Sequence, residues 1–557
     1  MKRYIEIQKV SECINRKLNQ FVRIIAPVFI GIFLFSCSSD FLEMSAKNTI
    51  PEDEVFSNPN LMKLMIYNMY ADVPNFDWIW PYGPYNNITD EARSYWGDVC
   101  NVMLRGQYAA DNNPLAYWAY TQVRKTNIFL SKVDDADIDE NAKRELKGEV
   151  MFLRAKLYFD MVKRYGGVPI ITEPQGLDDD LFVSRSTTEE SFQFIIRELE
   201  EAITLLPETH GDRGINISRA NKHSARAFLG RVCLFWASPL FNPSGDVSRW
   251  TKAASLCRDV INAGVYDLYP EFRNIMLDKN NIEEIFSVQF QKGVKEHGWD
   301  SWHQPDSQSR QFASAACPVQ EFIDAFEMEN GKAIDEQGSG YDENNPYENR
   351  DPRLLKTVVV NGSLFFGNPI YMYVGGLDGI NQPYQTVTGY QLRKGTDESN
   401  PDYYGASGSD QNWLELRYAE VLLNYAEAQN EALQTPDQSI YDAVEKIRQR
   451  AGLNPYTLPV NLTKDQMREC IRHERYIELA FEQKRYWDFR RWRIAHELLD
   501  GKVYTAMYIT LNDDGSYSYE RRPVDGVPCV FQDKMYFMPI PQSEMERNPN
   551  LEQNPGW

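Results

Sequence analysis

The feature that most constrains this chain is a succession of long amphipathic stretches, each closed by a turn signal, that fills its first and last thirds. Helical spacing runs over 60–71, 115–132, 140–164, 188–206, 221–237 and 249–263, and again over 413–433, 439–451 and 463–499. Their boundaries carry helix punctuation. Thr187 stands three residues ahead of Glu190, the spacing of a capping box. The stretch that reaches Tyr165 meets Gly166, Gly167 and Pro169, which stop a helix. Ala225, Ala227, Gly230 and Ala237 keep another helix slim enough for close approach.

Paired helices of this length predict a mainly α, tetratricopeptide-like scaffold, with spacing too irregular for a strict repeat. Between Gly264 and Asn412 the pattern changes. EEIFSVQF (283–290) alternates as a strand does, and stretches such as GSGYDENNPYENRDPR predict loops, hairpins and short strands. Loops this long in an ordered protein are usually functional. The expected organisation is a single domain over 37–557. Its helical scaffold covers about 55–263 and 413–499, and a loop-rich, ligand-binding insertion covers about 264–412. Further on, Asn512–Gly515 predicts a hairpin turn.

The N-terminus reads as an address. Lys2, Arg3, Lys9, Arg16, Lys17 and Arg23 precede the apolar run IIAPVFIGIFLF, which ends at Ser36-Cys37. A basic segment, an apolar run too short to span, and a small residue before a cysteine predict a signal peptide over 1–36. With Leu34 three positions ahead, Cys37 resembles the acylated cysteine of bacterial lipoproteins. Three acyl chains there would hold the protein firmly on a membrane.

Charge and motifs exclude several functions. The 557 residues carry a net charge of −21, and the basic leader removes enough cations that the chain after it would stand at −25. Such a field opposes nucleic acid. The eight cysteines form no CxxC pair, so scattered buried thiols are expected. His473-Glu474 lacks the second histidine of a metal helix, and no P-loop, GxGxxG or GxSxG is present. Neither a cofactor nor an enzymatic activity is expected.

The C-terminal blocks LRYAEVLLNYAEAQNEA, IRHERYIELAFEQKRYWDFRRW and FMPIPQSEMERNPNLEQNPGW resemble the SusD/RagB family of outer-membrane, nutrient-binding lipoproteins. ITDEARSYW (88–96), EVMFLRAKLYFDMVKRYGGVPI (149–170), ARAFLGRVCLF (225–235), EFIDAFEMENGKAI (321–334) and YENRDPRL (347–354) follow the family order. The resemblance implies a helical, non-catalytic protein anchored at the outer membrane through Cys37. It also implies a SusC-like TonB-dependent transporter as partner and an oligosaccharide ligand, or a peptide in some members. A lipid-anchored protein-interaction scaffold is a third reading.

Sugar rings stack their CH faces on aromatic side chains, and their hydroxyls need polar partners at the rim. Two segments combine both. Residues 75–98 hold Trp78, Trp80, Tyr82, Tyr85, Tyr95 and Trp96 among Asn86, Asn87 and Arg93. Residues 295–312 hold Trp299, Trp302 and His303 beside Asp300, Gln304 and Arg310. Trp96 with Trp299 or Trp302 is expected to stack, and Arg93, Asp300 and Arg310 to meet hydroxyls. Tyr384 and Tyr390 are weaker candidates. The charges from Arg472 to Arg491 are read as a structural ion-pair network, with Arg417 a partner and Glu420 meeting one of its arginines.

Overall fold

A computed structural model describes residues 52–72, 85–211, 215–309, 314–400 and 407–557. Residues 1–58 and 59–557 form separate units; within the first, the described residues 52–58 hold the short helix Glu52–Phe56. In the second unit, helices Pro59–Ala71, Tyr120–Val133, Glu140–Tyr165, Thr188–Leu205, Lys222–Ala237 and Val247–Asn262 pack along a stack largely in chain order. The chain then leaves for the insertion. It returns as the helix Tyr418–Ala432, which packs directly on Val247–Asn262 and carries helices Gln438–Ala451 and Lys464–Glu478.

Glu140–Tyr165 is the axis of the stack. Asp139 caps its start by accepting the Asn141 and Ala142 N–H groups, and nearly every residue from Gly148 onward is buried. A helix buried on all sides must pair its charges internally. Arg154 does so through two 2.8 Å bonds to Glu198. The helix ends at Gly166, with φ at +74°; a Cβ on Gly167 would lie 1.9 Å from the Ser186 carbonyl oxygen. The Thr187–Glu190 capping box forms as the spacing predicts, with Thr187 Oγ1 accepting the Glu190 N–H at 3.1 Å.

Three boundaries depart from the sequence reading. The first helix of the 115–164 pair begins at Tyr120, because the Tyr117 N–H turns aside to donate to the Tyr165 hydroxyl at 2.8 Å. Residues Trp413–Arg417 form a strand, not the start of a helix, and pair antiparallel with Glu284–Val288. This pairing closes the neck of the insertion. Finally, the 463–499 stretch breaks into Lys464–Glu478, Arg485–Arg491 and Ala495–Leu499. The break contains two left-handed residues, Phe481 and Gln483, around Glu482. That turn sends Glu482 inward to Arg417 (2.8 Å) and Lys394 (2.7 Å).

The ion-pair network is present. Arg417 also meets Glu478 at 2.7 Å, Arg353 meets Glu478 at 3.0 Å, and Arg475 and Arg491 share Asp488. Glu420 is held at 2.6 Å by Arg231 of the Lys222–Ala237 helix, not by an arginine of the C-terminal block. Strands Thr505–Leu511 and Tyr517–Pro523 form the hairpin predicted around Asn512–Gly515. The chain end docks on the scaffold, where Asn554 Nδ2 donates to the Tyr165 and Met538 carbonyls at 3.1 and 2.7 Å. Cys100, Cys233, Cys257, Cys317 and Cys529 are buried free thiols.

Candidate functional site

Three loops far apart in sequence meet at one backbone joint, Ser314-Ala315. The two-residue strand Ala92–Arg93 pairs with Cys317–Pro318, so the chain beyond it runs alongside the joint. There the Tyr95 N–H donates to the Ser314 carbonyl at 3.0 Å. The Ala315 N–H donates to the Trp302 carbonyl at 3.0 Å. Ser314 Oγ donates to the Tyr384 carbonyl at 3.1 Å and accepts from Gln391 Nε2 at 2.6 Å. Ser314 is fully buried and adopts a left-handed backbone, φ +62°. Sequence reasoning passed over it, since a lone serine between alanines carries no motif.

The joint gathers four rings. Trp96 and Tyr384 stack with centroids 5.5 Å apart and planes within 20°. Trp302 meets Trp96 edge-on at 5.6 Å, and Tyr95 meets it edge-on at 5.4 Å. Trp302 and Trp96 form the inner layer. Tyr384 and Tyr95, 45% and 40% exposed, present the outer surface. Tyr384 also has a left-handed backbone, φ +62°, unusual for a bulky residue and the kind of local strain that collects at functional positions. Asn381 and Gln382, exposed beside it, supply polar groups on the same loop.

Trp96 and Trp302 are thus brought together as expected, with Tyr384 promoted to their partner. Trp299 is not at the surface. It is 2% exposed, lies 4.2 Å from the His303 ring and donates to the Lys394 carbonyl at 3.3 Å. Residues Trp299–His303 form a single helical turn, so Trp299 and His303 share its inward face. Tyr390 is buried too, its hydroxyl donating to Gln320 at 2.6 Å.

The expected hydroxyl partners are also interior. Asp300 is fully buried and accepts from the Asp397 N–H (2.7 Å), Gln411 (2.7 Å), Ser409 (2.9 Å) and Asn400 (3.2 Å). It ties the loop around 397–411 to the Trp302 turn, and burial pushes its pKa up to about 6. Arg93 donates to the Thr89 and Ala92 carbonyls at 2.6 Å and lies over Tyr504 at 4.4 Å. Tyr85 is buried against Tyr486 and Trp487, its hydroxyl accepting from Arg164 at 2.7 Å. Asn86, Asn87, His303 and Gln304 are buried as well. The buried, engaged groups of Asp300, Arg93 and Tyr85 have no free valence for a sugar hydroxyl. Trp78, Trp80, Tyr82, Arg310 and Cys37 lie outside the described residues.

Among the described residues no cluster of His, Cys, Asp and Glu is placed to hold a metal ion, and no helix is long and apolar enough to cross a membrane. The arrangement is a shallow aromatic platform, suited to holding a flat, amphipathic ligand.

Two family profiles match the chain in tandem. One, described as "Starch-binding associating with outer membrane", spans residues 40–234, and one for the SusD family spans 282–557. A SusD-like protein of Bacteroides fragilis, known from its crystal structure, is 28% identical and superposes with a TM-score of 0.76, over 91% of this chain and 100% of that one. A SusD-like carbohydrate binding protein of the same organism is 25% identical with a TM-score of 0.77, over 89% and 99%. A SusD-like protein of Formosa agariphila is 25% identical over 528 residues, 85% of this chain and 91% of its own length. The order of sequence blocks, the mainly helical stack with its clasped insertion and these matches agree: the chain belongs to the SusD family.

Proposed function

We propose that this protein is a non-catalytic, outer-membrane lipoprotein that captures oligosaccharide on the Tyr95–Trp96–Trp302–Tyr384 platform and delivers it to a SusC-like TonB-dependent transporter. The observation that carries the reading is the platform itself: two exposed tyrosine rings backed by two tryptophans and fixed by a common backbone joint. Two family descriptions support the ligand class, the starch-binding profile and the carbohydrate-binding B. fragilis relative. Stacking of sugar CH faces on the outer rings would give binding without a deep pocket, and the polar loop residues Asn381 and Gln382 would meet hydroxyls. Each contact contributes only about 1 kcal/mol, so capture is reversible, as delivery requires. Acylation of Cys37 would hold the platform at the membrane, facing outward, with the transporter beneath it.

Calorimetric titration of the chain from Ser38 onward, against neutral and acidic polysaccharides, tests this. Binding to one polysaccharide class is expected, weakened about fivefold by Tyr384→Ala and by Trp96→Ala, at about 1 kcal/mol per lost ring. Both variants should remain folded by circular dichroism. Unchanged affinity in folded Tyr384→Ala and Trp96→Ala would remove the platform from the binding site. Binding of peptides in place of glycans would reassign the ligand.

A further inference from the structure

A second site lies inside the scaffold, away from the platform. A partly open cavity of about 70 Å³ lies between the Glu140–Tyr165 and Lys222–Ala237 helices, the Trp413–Arg417 strand and the turn that precedes Arg485. On the volume a water needs, about 10–15 Å³, this is room for one small ion with a few waters.

The charges around the cavity do not balance. Lys156, Lys163 and Arg164 all gather on Asp160: Lys156 at 3.2 Å, Arg164 at 3.8 Å, and Lys163 in close contact. Lys156 also reaches Glu415 at 3.6 Å, but Arg231 already holds that carboxylate at 2.7 Å. Lys484 donates to the Glu415 carbonyl at 2.7 Å and stands 3.6 Å from Glu420, which is again Arg231's partner. Five cations therefore share three carboxylates. The other charges on the wall are committed, since Arg475 pairs with Asp488, and Glu482 with Arg417 and Lys394.

A surplus of positive charge among largely buried groups is costly unless something offsets it. Part is spread over Trp487, whose ring lies 4.6 Å from Lys163 Nζ and 5.0 Å from Arg164 Cζ. Burial also draws the Lys163 pKa down to about 8 and lowers that of Lys484. One further donor lines the cavity, Gln483 Nε2, which is buried and donates to no protein acceptor. Gln483 is held there by its left-handed backbone, φ +59°.

We propose that this cavity binds a small monovalent inorganic anion of chloride size, held by Lys163, Lys484 and the Gln483 amide. The anion accepts where the wall is short of acceptors, and it fixes the turn that carries Glu482 into the ion-pair network. The inference does not depend on the ligand of the aromatic platform.

The test uses the folded mature chain. Crystals grown or soaked in sodium bromide should show an anomalous peak in the cavity, within hydrogen-bond reach of Lys163 Nζ and Gln483 Nε2. In solution, sodium chloride titrated against sodium gluconate at constant ionic strength should raise the unfolding temperature along a saturating curve. Gluconate is too large for the cavity. Gln483→Leu and Lys163→Met should each shift the chloride midpoint upward about tenfold, the scale of one lost charge-assisted hydrogen bond. Gln483 takes no part in the ion pairs, so its variant keeps the test valid should Lys163→Met fail to fold. Bromide confined to the outer surface, or a chloride response identical in the parent and Gln483→Leu, overturns the proposal.

Discussion

At Glu91 burial outweighs every favourable contact. Its carboxyl receives the Phe481 N–H at 3.2 Å, yet burial, with the Asp90 charge adding to it, pushes the pKa up to about 8. Glu91 is therefore mostly protonated in the folded protein at neutral pH. A raised pKa favours the fold fully below the unfolded value near 4.5, and that contribution is lost as the pH rises through about 8. Glu91→Gln, an isostere of the protonated acid, should flatten the fall in unfolding free energy across that window in urea titrations at stepped pH. A slope equal to the parent's would mean Glu91 is already ionised. The adjacent Asp90 is bound bidentately to Arg485 at 2.9 and 2.7 Å, so Asp90→Asn strands a buried cation. The expected loss is about 3–5 kcal/mol by the same titration. Trp299→Ala empties a core position and should cost about 3–5 kcal/mol. Its folded fraction should bind glycan as the parent does, the reverse of Tyr384→Ala.

Among the elements, the shortest proved hardest to read. The long helices were legible because each combines period, cap and stop; Thr187–Glu190 and the Gly166-Gly167 stop both formed as their residues imply. WDSWH lies in a stretch whose residues predict loops, since one helical turn is too short to show a period. That turn decides which indole faces the platform: Trp302 joins Trp96, while Trp299 turns inward to His303. Trp413–Arg417 runs straight into a helix and shares its apolar spacing, and only its partner strand, more than a hundred residues earlier, reveals it. Tyr384 owes its place to a left-handed backbone and to Ser314, neither of which leaves a mark in composition. The glycine stop supplies a prediction. Gly167→Ala drives a Cβ into the Ser186 carbonyl, whereas a Cβ at Gly264 meets open space. Gly264→Ala should cost only about 1 kcal/mol, for its left-handed backbone. Gly167→Ala should cost several times more, as compared by thermal unfolding.

Across the whole molecule, stability rests on carboxylates that cannot be protonated without breaking the helix contacts they make. Burial alone would raise Glu415, Glu420 and Glu427. Lys156, Lys484 and Arg231 at Glu415, Arg231 and Lys484 at Glu420, and Arg491 and Arg475 at Glu427 together outweigh it and hold each pKa at about 2. A depressed pKa stabilises above the unfolded value near 4.5, and its contribution is lost as the pH falls toward 2. Acid unfolding should therefore be steep and cooperative in that interval when followed by circular dichroism. Because the pairs are buried, added salt should move the midpoint little; a large salt shift would assign the stability to surface charges instead.

The antiparallel pairing of Glu284–Val288 with Trp413–Arg417 has a consequence for how such proteins diversify. The two ends of the loop-rich segment leave and rejoin the helical stack side by side, so the clasp tolerates changes of length in the exposed loops beyond it, while Arg353 and Lys394 of the segment stay tied to Glu478 and Glu482 of the stack. The segment behaves as an exchangeable cassette. Exposed loops between the two strands can be rewritten, lengthened or grafted from a relative while Arg353 and Lys394 hold the scaffold's register. Trp302, Ser314 and Tyr384 all lie within that cassette, whereas Tyr95 and Trp96 belong to the scaffold side. A change of ligand could thus arrive as a single transplanted stretch, provided that Arg353 and Lys394 keep their carboxylates and that its own version of the Ser314 joint still reaches the Tyr95 N–H.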